Sequence, residues 1–122
     1  MSRLSLPAGQ SLLDTDLALS QIGDADAMQD MLVMLEEALA RDLPDISDLL
    51  QKGDILGANC LLHAIKGFIP IFCQDALSQE VTRVEAMSKE PFDAGLSDGY
   101  AQLRPHLEQL LAEVRAHLAN GG

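Results

Sequence analysis

A chain of 122 residues, 48% apolar and 3% aromatic with no Trp, is too apolar for disorder and forms one domain whose core is built from Leu, Ala, Ile, Val and Met. Its net charge of −11, from 19 acidic and 8 basic side chains with no basic stripe, disfavours nucleic acid and an anionic membrane surface as partners. Strong helix formers dominate and β-branched residues never alternate over a usable length, so the expected fold class is all-α.

Residues 1–11, with Pro7 and Gly9, read as a flexible leader, and residues 12–119 as the folded domain. A short helix follows from about Leu12 to Ile22, with Leu13, Leu17 and Ile22 facing inward. Gly23-Asp24 stops it and caps a long second helix. That helix carries a seam of Met28, Met31 or Leu32, Leu35, Leu39, Leu43, Ile46 and Leu50, at the spacings of three and four found in helix bundles. Pro44 interrupts its hydrogen-bond ladder without shifting the phase of the seam, which predicts a bend, with a break as the lesser alternative.

Lys52-Gly53-Asp54 reads as a stop, a turn and a new N-cap. The third helix spans Ile55 to about Phe72, its last turn distorted by Pro70. Its core stripe takes Ile55, Ala58, Leu61 or Leu62, Ile65, Phe68 or Ile69, and Phe72. Gln74-Asp75 opens a fourth helix with Leu77, Val81 (or the turn of Glu80), Val84 and Met87 inward, and a loop from Ser88 to Ser97 contains Pro91 and Gly95. The last helix has the cleanest pattern: Leu96, Tyr100, Leu103, Leu107, Leu110 or Leu111, Val114 and Leu118, ended by Asn120-Gly121-Gly122. Four amphipathic helices on short loops are expected to pack up-down-up-down as a four-helix bundle, with the short first helix covering one end.

Cys60 and Cys73, thirteen apart, fit neither a CxxC nor a zinc spacing and read as buried thiols of a reducing cytoplasm. No apolar stretch reaches the roughly 18 to 20 residues that a membrane span needs, and the start lacks the apolar run of a signal peptide. The expected location is cytoplasmic.

The chemistry concentrates in the third helix. With the core stripe turned inward, Asn59, His63, Lys66, Gly67 and Pro70 fall on the opposite side, and the imidazole faces solvent. A glycine inside a helix costs on the order of 1 kcal/mol relative to alanine, so something should offset Gly67. A missing side chain lets the backbone of another protein approach the imidazole closely. A solvent-facing imidazole is abundant in its neutral, nucleophilic form at cellular pH.

The segment Leu62-His63-Ala64-Ile65-Lys66-Gly67 resembles the HxxKG signature of histidine-containing phosphotransfer (HPt) domains. The surroundings are similar too: a short helix, a Gly-Asp turn, a long helix, a second Gly-Asp turn nine residues before the histidine, and a helical hairpin after it. The resemblance covers roughly residues 12 to 118 and implies a phosphorelay intermediate of two-component signal transduction. His63 would then be the phospho-acceptor, Lys66 the neighbour of the phosphate, and Gly67 the clearance for the partner. The implied partners are response-regulator receiver domains and a hybrid sensor histidine kinase, and the implied protein is a phosphocarrier that is not itself an enzyme; a bundle whose seams close internally needs no second copy, so a monomer is expected. One lysine is too little to catalyse the transfer, so the acidic pocket and its divalent metal, Mg, would come from the receiver domain, and this chain would bind no cofactor.

Two departures bear on partner choice. Phe68 to Cys73 is bulkier than the small residues and glycine that many members carry there, and Cys73 stands where that glycine would fall. Pro70 and a partly exposed Phe68 or Ile69 are expected to form an apolar rim for the receiver domain, with Asn59 also on the docking side. The alternative reading is a helical adaptor that docks on a receiver or kinase domain without carrying phosphate. A third, one HPt module of a larger hybrid kinase, fits less well with a chain that begins at Met1 and has full-looking ends.

The remaining candidates carry less. His106 and His117 share a face of the last helix but lack the carboxylates that a metal site in a bundle requires, so no metal site is expected. Met28, Met31, Met34 and Met87 read as core filler, and Asp14, Asp16, Glu36 and Glu37 as caps or solvated faces. Cys60 next to His63 has no orienting third group and makes a poor nucleophile.

Overall fold

The computed structural model describes residues 11–89 and 94–120. Positions 1–10 of the expected leader, Pro91 of the expected loop, and Gly121-Gly122 lie outside the described residues. The described residues form five helices and no strand, which makes the fold all-α.

Helix α1 (Thr15–Ile22) starts later than periodicity alone suggested, because the Asp14 carboxylate caps it by accepting from the Leu17 N–H. It buries Ala18, while Leu13, Leu17 and Ile22 are half-buried. Two glycines with positive φ, Gly23 and Gly53, end α1 and α2 (Ala25–Lys52), and the aspartate after each caps the next helix. Pro44 does not break α2: the helix runs on for eight residues to Lys52, and Ile46 beyond it is fully buried. The seam resolves onto Leu32, with Met31 half-buried and Leu50 at the edge. Met34 is 66% exposed, so it is not core filler.

Helix α3 (Ile55–Phe72) settles its alternatives on Leu62 and Ile69, with Leu61 and Phe68 half-buried beside the core. Pro70 does not end the helix, which runs on to Phe72. Cys73 N–H still donates to the Ile69 carbonyl at 2.9 Å, because a proline so near the end removes only one bond. By length and composition α3 could cross a membrane, contrary to the sequence expectation. Here it packs against α1, α2 and α4 (Asp75–Met87), which cover its stripe of Ala58, Leu62, Ile65, Ile69 and Phe72. Helix α5 (Leu96–Ala119) buries both Leu110 and Leu111. Helices α2, α3, α4 and α5 pack each on the next and α5 back on α2, enclosing one core.

Just before α1, the chain is strapped to α5. One oxygen of Glu113 accepts from the backbone N–H of Leu12 and Leu13 and from the Ser11 hydroxyl, each at 2.8 Å. Burial pushes this carboxyl up, but hydrogen bonds from Leu13, Gln109, Ser11 and Leu12 outweigh it and hold it below the usual carboxylate range. A depressed pKa adds stability that is present above the unfolded-state pKa and is lost as pH falls through the folded one. Glu113→Ala should therefore cost about 1–3 kcal/mol in urea unfolding at neutral pH. The gap to wild type should close under acid. Equal stability at neutral pH would mean that the strap contributes nothing.

Candidate functional site

The outward side of α3 is where the helical wheel put it. The His63 side chain is 67% exposed, Gly67 and Pro70 are exposed, and Lys66 is half-buried. A Cβ built on Gly67 meets nothing within 4 Å, so packing inside this chain does not demand the glycine. Phe68 is half-buried against the core, and the Pro70 carbonyl accepts from the Gln21 amide of α1 at 3.1 Å.

Beneath His63 lies a residue that periodicity did not single out. Glu85, on α4, is buried with its side chain 1% exposed, and its two oxygens divide the surrounding donors. Oε2 lies 3.4 Å from His63 Nδ1 and 3.2 Å from Asn59 Nδ2, while Oε1 faces Lys66 Nζ at 3.3 Å and Lys89 Nζ at 3.6 Å. Burial pushes the Glu85 carboxyl up. Hydrogen bonds from Lys66, Asn59 and His63, with the charge of Lys66, overcome that and hold it below its ordinary value. An ionised carboxylate can only accept, so His63 Nδ1 carries the proton and donates it. In the neutral form of the ring this arrangement leaves the lone pair on Nε2.

Asn59, expected on the docking side, also reaches across to α4. Half-buried, it donates to the Ser88 hydroxyl at 2.8 Å, and Ser88 in turn donates to the Glu85 carbonyl at 2.6 Å. Together they fasten the end of α4 to α3 one turn ahead of His63. A signal for Glu85 was present in the sequence: on α4, Leu77, Val81 and Val84 define the inward stripe, and both Glu80 and Glu85 fall on it. A carboxylate on an apolar stripe needs a partner. Glu80 finds one in His106, whose Nδ1 lies 2.8 Å from its Oε1.

Other candidates separate from the site. His117 is half-buried, with Nε2 enclosed and unpartnered. Cys60 is exposed, contrary to expectation, because it lies one residue outside the α3 stripe. Cys73 is buried, and burial pushes its thiol up to about 12. Asp14 caps α1, and Glu36 pairs with Arg115. Among the described residues no three His, Cys, Asp or Glu side chains gather as metal ligands would.

Compared with models of protein families, with curated proteins and with solved structures, the chain matches none.

Proposed function

We propose that this chain is a histidine phosphotransfer protein of a two-component phosphorelay, with His63 as its phosphorylated residue. The observation that carries the reading is the exposed imidazole whose Nδ1 rests on a buried, ionised carboxylate with a lysine alongside. The matching scaffold is an up-down-up-down four-helix bundle with α1 as the added helix. Supporting it are the closed circuit of helix contacts and cross-links that run in opposite directions, Arg104 to Ser47 and Arg115 to Glu36 between α5 and α2.

In the transfer, the Nε2 lone pair attacks the phosphorus of an aspartyl phosphate on a receiver domain. The N–P bond forms as the P–O bond breaks, and its electron pair returns to the partner's carboxylate. The Nδ1 proton stays in place, so the ring gains positive charge during the attack, and Glu85 balances that charge at short range. In the reverse direction the ring leaves as a neutral imidazole, which makes it a competent leaving group. Lys66 stabilises charge on the equatorial phosphoryl oxygens. Metal-assisted activation of the aspartyl phosphate belongs to the receiver domain, as does the docking surface opposite Gly67.

Incubation with a phosphorylated receiver domain tests the reading. The chain should acquire a label that is acid-labile and alkali-stable, as a phosphorus–nitrogen bond is. No label, or an acid-stable one, across the receiver domains of the same genome would exclude it. Gly67 supplies a second test. Gly67→Ala should leave the fold more stable by about 0.5–1 kcal/mol, because the added methyl meets open space. It should at the same time slow transfer from the receiver by obstructing its approach. Stabilisation with unchanged transfer would remove the clearance role.

A further inference from the structure

Two of the three lysines in this acidic chain, Lys66 and Lys89, converge on one oxygen of Glu85 beside the proposed nucleophile. They differ in freedom: the Lys66 side chain is 29% exposed and that of Lys89 is 56% exposed. Glu85 already receives His63, Asn59 and Lys66, so its charge is compensated without a second lysine. Nor is Lys89 an ordinary helix-surface partner at four residues' spacing. It lies past the end of α4, and its backbone position is set by the Asn59–Ser88 fastening and by its own N–H donating to the Ala86 carbonyl at 3.2 Å.

We propose that Lys89 is a second phosphate-binding cation, held on Glu85 while His63 is free and transferred to the phosphoryl group once His63 carries it. The inference rests on the phosphocarrier reading for its biological setting. A phosphoryl group on nitrogen brings close to two negative charges and three strong acceptor oxygens, against the single charge that Glu85 offers. Lysine is a flexible point charge that can follow the larger anion. When Lys89 leaves, Glu85 keeps His63 and Asn59, and the three-donor ammonium of Lys66 can bridge it to the phosphoryl group, so no buried charge is orphaned. With His63 neutral, two lysines and one glutamate leave a local charge of +1 in a chain that carries −11 overall.

Phosphoramidate, a small donor that needs no protein docking, separates this inference from the reading it rests on. Its P–N bond breaks, ammonia leaves, and the new N–P bond forms on His63. Lys89→Ala and Lys89→Gln should each slow labelling by about 3- to 10-fold, the scale of one partly solvated charge-assisted contact. Lys89→Arg should restore most of the rate. Added salt should slow the wild type more than the alanine variant. Wild-type rates in Lys89→Ala, or an equal loss in Lys89→Arg, would overturn the role. Labelling by phosphoramidate with the Lys89 effect intact, but none by any receiver, would instead sink the phosphocarrier reading alone.

Discussion

His63→Gln should abolish labelling from a phosphorylated receiver domain while leaving the fold intact. The side chain is 67% exposed, and among the described residues its Nδ1 approaches Glu85 at 3.4 Å. Glutamine is a good helix former with a polar end that can still reach Glu85, so unfolding stability should change by less than about 0.5 kcal/mol. What the variant lacks is a ring nitrogen with a free lone pair. Neither remaining histidine matches its access: the His106 side chain is 32% exposed, half the value at His63, and the Nε2 of His117 is enclosed. Label measured by acid and alkali lability should fall to background. A label of unchanged amount and lability in this variant would place the phosphorylated residue elsewhere.

The outward position of His63 was legible because a helix with one apolar stripe has only one side left for polar groups, and α3 has eighteen residues to establish the phase. The same reasoning found both Gly-Asp turns, since left-handed glycine followed by an aspartate cap is a strictly local signal. Where stripe neighbours competed, as with Leu61 and Leu62, packing against α2 and α4 decided, and one helix's periodicity does not contain that information. Glu85 illustrates the deeper limit. Periodicity says that it faces inward, but the register of α4 against α3 determines that it sits under His63 rather than under a leucine. That register is fixed by contacts such as Asn59 with Ser88, twenty-nine residues apart. Neither Pro44 nor Pro70 ends its helix, because each helix tolerates losing one bond where the apolar seam continues past it.

Removing the carboxylate at position 85 should damage transfer without removing the nucleophile. In Glu85→Ala nothing holds the proton on Nδ1, and the imidazole can place it on Nε2, where it blocks attack. The charge that builds on the ring during transfer is also left unbalanced. At metal-ligating histidines, loss of the group that hydrogen-bonds the other ring nitrogen costs about 10- to 100-fold, and a decrease of about that size is expected in the transfer rate. Glu85→Gln keeps the shape and one carbonyl acceptor but loses the charge, so it should fall between alanine and wild type. The position of the ring proton is readable directly from the nitrogen-15 shifts of His63: Nδ1–H in wild type, and a shift toward Nε2–H in the alanine variant. A Glu85→Ala protein that transfers at the wild-type rate with Nδ1 still protonated would show that the buried carboxylate has no part in preparing the nucleophile.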